Sequence, residues 1–185
     1  MGNPLDRILV IDVEATCWEG DPPPDQEREI IEIGLCILDV ATGARGEHMS
    51  IVVRPERSSV SPFCTELTTL TQDEVDGGIS FLESCRLLRD TYRARECVWA
   101  SFGDYDRQQF ERQCRARQVV YPFGSRHLNV RTLVSLVHHL PEEVELPRAL
   151  ELAGLPLEGH HHRGVDDAWN IAGLLAETLW PGRAR

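Results

Sequence analysis

The stretch that most constrains this chain is Arg7–Glu14, RILVIDVE. Its aliphatic, β-branched run reads as a buried strand. Asp12 and Glu14 interrupt that run. Residues i and i+2 of a strand project to the same face, so the two carboxylates stand side by side where the sheet should be apolar. Buried acids are costly unless something compensates their charge. The compensation is either an arginine or a cation.

The rest of the pattern builds a sheet around this strand. Glu29–Val40, EIIEIGLCILDV, reads as a long second strand. Ala41–Ala44, ATGA, is a turn, and His48–Val53 reads as a third strand. Gly20–Asp25 holds three prolines and is a loop. Short connections predict an antiparallel meander. After Pro55 the period becomes helical. Two short helices are expected within Ser61–Gly78, the second opened by the capping box Thr71-Gln72-Asp73-Glu74. Phe81–Arg95 carries Leu82, Cys85, Leu88 and Tyr92 at helical spacing. Glu96–Ser101, ECVWAS, is a short strand. Tyr105–Arg117, Asn129–Leu140, Pro147–Leu152 and Asp166–Leu179 read as further helices. The expected fold is α/β: a mixed central sheet, with a three-strand meander plus parallel strands, flanked by helices. A length of 185 residues fits a single domain over 1–185, with its core at about 7–180.

Charge excludes several chemistries. All 19 basic residues are arginine, against 30 acidic ones, for a net charge of −11. A chain without lysine has no Schiff-base, P-loop or kinase lysine. Its acidity argues against coating DNA or a membrane surface. Between Arg107 and Arg131, however, six arginines face one acid, Glu111, and such a stretch can hold a polyanion locally. The six cysteines (17, 36, 64, 85, 97, 114) form no C-x-x-C pair, which argues against a zinc ribbon and a disulfide framework. The start, MGNPLD, lacks the basic and apolar regions of a signal peptide, and Asp6 stands where a myristoylation signal needs Ser or Thr. No apolar run is long enough for a membrane span. A cytoplasmic location without membrane contact is expected.

Two more clusters carry chemistry. Ser101–Phe110, SFGDYDRQQF, offers Asp104 and Asp106 just past a strand, where an acid also suits helix capping. His160–Asp167, HHHRGVDD, opens the last helix. His162 and Asp167 are five apart, roughly 500° of helical rotation, so they converge only if His162 lies in the preceding loop. An acid pair on a central strand, an acid after another strand, and a His with an acid at a helix start suit a two-metal phosphodiesterase centre.

The set, in this order and spacing, resembles the DEDDh 3′–5′ exonucleases of the RNase H-like fold, the superfamily of RNase T and the DnaQ-like proofreading subunits. The Eri-type branch is nearer. Its pattern is matched by Asp12-Val13-Glu14-Ala15-Thr16-Cys17, Gly20-Asp21-Pro22-Pro23, Glu29-Ile30-Ile31-Glu32, Val53-Arg54-Pro55-Glu56, Phe63-Cys64, Leu67-Thr68, Thr71–Asp76 and Asp166–Ala172. The resemblance implies metal ligands Asp12, Glu14, Asp106 and Asp167, with His162 as general base. It selects Asp106 over Asp104, Asp167 over Asp166, and His162 over its neighbours. It also implies two Mg²⁺ ions, with Mn²⁺ substituting. The implied substrate is a single-stranded RNA or DNA 3′ end, RNA favoured, and the product is nucleoside 5′-monophosphate. Ala15, Thr16, Phe63, Leu67, Thr68 and Tyr105 are implied to contact the terminal nucleotide. Phe63 and Tyr105 would stack on the base, Leu67 would act as a wedge, and Thr68 would lie near the sugar. Alternative readings are a non-catalytic interaction module and a polymerase-associated proofreading subunit on the same fold.

Overall fold

The computed structural model describes residues 5–182, so the first four residues of the MGNPLD start lie outside the described region. Six strands form one sheet in the order β4-β3-β2-β1-β5-β6. Strands β1 (Arg7–Ala15), β2 (Ile30–Asp39) and β3 (Arg45–Arg54) make the expected antiparallel meander. Strand β5 (Val98–Ser101) runs parallel to β1, and β6 (His127–Asn129) parallel to β5. The two-residue β4 (Ile79–Ser80) pairs with β3.

Strand alternation sorts β1 onto two cores. Leu9, Ile11 and Val13 face a layer with Phe81, Trp99 and Phe110. It includes α3 (Phe81–Asp90) and α4 (Tyr105–Arg117). Ile8 and Val10 face the opposite layer with Ile171, Leu174 and Leu175. That layer holds α5 (Val130–Val137), α6 (Leu146–Leu152) and α7 (Gly164–Leu179). Two short helices, α1 (Pro62–Thr68) and α2 (Gln72–Asp76), follow β3. Asp12 and Glu14 continue the α7 side of β1, at the strand's carboxyl end.

Some sequence expectations need correcting. Helix α3 stops at Asp90, and the next residues turn with Arg93 at φ 53°. Strands β4 and β6 were not expected. Asn129 belongs to β6 and caps α5, accepting a hydrogen bond from the Thr132 N–H. The capping box Thr71–Glu74 is present as read.

The start of α7 rests on the sheet backbone to backbone. A Cβ at Gly34 of β2 would lie 1.8 Å from the Gly164 carbonyl oxygen. Gly164 itself has no left-handed φ, and the inverted residue is His162, at φ 68°. We expect Gly34→Ala to cost about 1–3 kcal/mol by overpacking and to lower the melting temperature. It should also lower activity at temperatures where the variant is folded, because the displaced helix carries Asp167. Wild-type melting and turnover in that variant would contradict the close-contact role.

Candidate active site

The cleft forms where strands part. Strand β1 pairs with β5 only over Ile8–Val10. Beyond Val10 that edge of β1 has no strand partner. The amide of Val13 instead donates to Asp106 Oδ1 at 2.9 Å, drawing the first turn of α4 onto the end of β1. From the other layer, α7 delivers Asp167. Its Oδ2 accepts the His162 amide at 2.9 Å, and its carboxylate lies 3.0–3.1 Å from His161 Nδ1.

Four acids thus meet at one place. Carboxylate oxygens of Asp12, Glu14 and Asp167 lie within 4.8 Å of one another, as do atoms of His161, His162 and Asp167. Asp12, Glu14, Asp106, Asp167, both histidines and Tyr105 line a cavity of about 290 Å³, with Val13, Phe102, Arg131, Glu145 and Leu146 completing the wall. Glu14, Asp106 and Asp167 are buried. Burial, reinforced by Asp106, Glu14 and Asp167, raises the Asp12 pKa well above the usual carboxylate range. Burial and then Asp167 and Glu32 push Glu14 up to about 9. Burial lifts Asp106 to about 7 against the pull of its amide hydrogen bonds.

No arginine among the described residues pairs with these four carboxylates. Arg131, at the rim, is held by Glu145 at 2.7 Å. A neighbouring buried acid, Glu32, does have an arginine partner. It pairs with Arg163 at 3.3 Å and accepts the Gly164 amide at 2.9 Å. The result is a mutually repelling set of hard oxygen donors, which fits a divalent cation such as Mg²⁺. The raised carboxylates bind protons more tightly folded than unfolded. Metal-free protein should therefore be most stable below about pH 4.5 with respect to these groups, and lose that stability as pH rises towards about 9. Melting curves in EDTA from pH 5 to 9 would check this. A trend in the chelated protein that saturating Mn²⁺ leaves unchanged would contradict it.

The structure places the remaining expected residues unevenly. Tyr105 is 44% exposed on the cavity wall, and Phe63 is 38% exposed on α1. Leu67 is partly exposed on the same helix. Ala15 is buried, and Thr16 is buried with its hydroxyl donating to the Glu27 carbonyl. Thr68 is enclosed, and its hydroxyl donates to the Cys64 carbonyl, so its side chain is engaged inside α1. Asp104 lies outside the cavity, paired with Arg107 at 3.1 Å. Asp166 Oδ2 accepts the His160 amide at 2.8 Å.

One neighbour escapes sequence reasoning. His161, passed over in favour of His162, touches Asp167 and stacks on His162 with ring centroids 3.9 Å apart. The hydrogen bond to Asp167 raises the His161 pKa. Burial and then the neighbouring His161 lower that of His162. Arg131 closes the basic stretch noted in the sequence, whereas no local pattern marks Glu145.

A family model, RNase T-type exonuclease, matches residues 9–175. This chain belongs to that exonuclease family. The human protein "3'-5' exoribonuclease 1" is 32% identical over 96% of the chain and 53% of its own length. The fruit-fly "3'-5' exonuclease Snipper" is 28% identical over 97% of the chain and 72% of its own length. A solved structure described as the nuclease domain of 3'hExo, a DEDDh family member bound to rAMP, superposes with a TM-score of 0.87 at 31% identity. That match covers 97% of this chain and 95% of that one. The chain spans about half the length of the curated relatives it matches first. The mixed sheet with flanking helices is the RNase H-like fold of these exonucleases, and the family works with divalent metal ions.

Proposed function

We propose that this chain is a 3′–5′ exonuclease that shortens single-stranded nucleic acid from its 3′ end, RNA in preference to DNA, releasing nucleoside 5′-monophosphates. The observation that carries the reading is the convergence of Asp12, Glu14, Asp106 and Asp167 in one cleft, with no guanidinium paired to them among the described residues. The exoribonuclease name of the human relative and the rAMP bound in the superposed nuclease domain support the preference for RNA. The reading includes a cytoplasmic location and no membrane contact. Among the described residues, no helix is long and apolar enough to cross a membrane.

Asp12, Glu14 and Asp167 would hold the principal Mg²⁺, and Asp106 would engage a second. Mn²⁺ would substitute. Bound there, the ions supply Lewis acidity to the phosphate and to the attacking water. The protein's own groups do the rest. His162, kept neutral by burial, takes the proton from the attacking water as general base. His161 holds the Asp167 carboxylate in place through Nδ1. The exposed ring of Tyr105 offers a stacking surface for the terminal base, as Phe63 does from α1. Such contacts are worth about 1–3 kcal/mol per base.

The test is a panel of 5′-labelled single- and double-stranded RNA and DNA in Mg²⁺ or Mn²⁺. Single-stranded RNA should give a ladder receding one nucleotide at a time from the 3′ end, with EDTA abolishing it. Absence of stepwise 3′ shortening on every substrate, or activity that survives EDTA, would overturn the reading. His162→Ala should lower kcat by about a hundredfold or more, the scale of a lost general base. Single-turnover rates check this, and an unchanged rate would move the base role elsewhere.

A further inference from the structure

The histidine tract that precedes α7 supplies a second set of donors. Among the described residues, two groups of three side chains could hold a metal ion. Asp12, Glu14 and Asp167 offer only oxygen. His161, His162 and Asp167 offer two nitrogens and an oxygen, with these atoms within 4.8 Å of one another. His161 Nδ1 lies 3.0 Å from Asp167 Oδ2, and the two imidazoles are stacked with 25° between their planes. The loop is already pinned to the helix. The His162 amide donates to Asp167 Oδ2 at 2.9 Å, and the Asp167 amide donates to the Arg163 carbonyl at 2.8 Å. His160 is exposed and belongs to neither group.

Donor type decides which ion each group takes. Mg²⁺ demands hard oxygen ligands. Zn²⁺ binds imidazole nitrogen and carboxylate oxygen at about 2.0–2.2 Å, and a mixed nitrogen and oxygen site holds it more tightly than Mn²⁺. Bonds of that length set tetrahedral ligand atoms about 3.4 Å apart. The 3.0 Å between His161 Nδ1 and Asp167 Oδ2 is already close to such an edge. The His162 nitrogen lies within 4.8 Å of both, so a swing of about 1 Å brings it in. Both histidines are half-buried and neither belongs to a packed core, so the rings can swing without disturbing one. Ligation through Nδ1 leaves a neutral His161 with its proton on Nε2. A neutral imidazole has a single nitrogen lone pair to offer. A His162 that ligates Zn²⁺ therefore cannot also take a proton from water.

We propose that His161, His162 and Asp167 form a Zn²⁺ site, different in its donors from the oxygen-only group, and that Zn²⁺ bound there blocks hydrolysis by occupying the base. The blocking role rests on the reading of His162 as general base. The Zn²⁺ site itself does not.

The experiment titrates the chelator-stripped, ¹⁵N-labelled full chain with Zn²⁺ or Mg²⁺ and follows the imidazole ring nitrogens by NMR. Zn²⁺ should shift ring-nitrogen signals of both His161 and His162, assigned by their absence from His161→Gln and His162→Gln. Mg²⁺ should move neither by a comparable amount. Zn²⁺ shifts confined to one of the pair, or to His138, His139 and His160, would overturn the site. In calorimetry without substrate, His162→Gln should bind Zn²⁺ at least about tenfold more weakly and Mn²⁺ within about threefold of wild type. A wild-type Zn²⁺ Kd in that variant would overturn the site as well. If His162→Gln does not fold, His161→Gln is held to the same Zn²⁺ criterion. Asp12→Asn separates this proposal from the nuclease reading. It should weaken Mn²⁺ and leave Zn²⁺ within about threefold. Loss of affinity for both ions would place Zn²⁺ among the oxygens and overturn the imidazole site. Unchanged affinity for both would count against the Asp12 group alone, with the Zn²⁺ site upheld. With Mg²⁺ in excess, hydrolysis of single-stranded RNA should fall at least about tenfold as Zn²⁺ saturates its site. Full turnover by the Zn²⁺-loaded wild type would overturn the blocking role.

Discussion

Asp12→Asn is expected to collapse hydrolysis and to raise the melting temperature of the metal-free protein. The two effects share one cause. Asp12 sits among Asp106, Glu14, Asp167 and Glu32, each of which raises its pKa. Without a cation, four crowded acids repel, and replacing one by a neutral amide of equal size relieves both repulsion and desolvation. A gain of about 1 kcal/mol corresponds to about 2–4 °C in a chain of this length. With a cation the sign reverses. The variant would lack one of the oxygens proposed to hold and neutralise the ion, and turnover should fall by about 10³-fold or more, the scale of a lost preorganised electrostatic contact. Melting in EDTA, melting in saturating Mn²⁺ and single-turnover hydrolysis together check the claim. A variant that melts lower than wild type in EDTA, or that retains turnover, would show that these carboxylates are not a frustrated metal-binding set. Trade-offs of this kind between stability and activity are common at functional sites.

Arg117→Ala should be the most damaging single change to the fold outside the site. The guanidinium at the end of α4 is 7% exposed, and it meets Glu29, Glu27 and Glu56 at 2.6, 2.8 and 3.0 Å. Glu29 is almost completely buried. It also accepts the backbone amides of Glu56, Arg57 and Ser58, the segment that leads into α1. Removing the arginine leaves a buried carboxylate without its counter-charge, a loss of about 3–5 kcal/mol. Burial alone would raise the Glu29 pKa, but Arg117 and these amides more than offset it and hold the acid below its usual range. The sign follows. Its stabilisation is present above the unfolded-state pKa and is lost as pH falls through the lower folded value. Arg117→Ala should therefore lower stability strongly at neutral pH and flatten the acid limb of the stability curve. Urea melts at pH 7 and pH 4 would check both. Equal destabilisation at the two pH values would contradict the assignment.

The sequence was informative where a signal is local and long. Strands of nine or ten residues such as β1 and β2 declare themselves by long, mainly aliphatic runs. Asp12 and Glu14 are conspicuous because they break such a run. Strands of two and three residues have no period to detect, so β4 and β6 leave no signal, and the helical pattern extends back over Asn129, which caps α5. Ser101 and His127 come together only through the register of β5 and β6. The histidine run posed a different problem. Three identical side chains follow one another, and the backbone inverts at His162, φ 68°. His161 lies against Asp167, a contact that three identical neighbours in the sequence do not single out.

The bare contact between Gly34 and Gly164 has a practical corollary. Because two main chains touch there, the depth at which the last helix enters the sheet is set by atoms that every residue has, and no side chain can be swapped to retune it. A designer grafting this carboxylate cluster onto a different scaffold would have to import both glycines. Neither lines the cavity, yet they act as the shim that sets the spacing of the cleft.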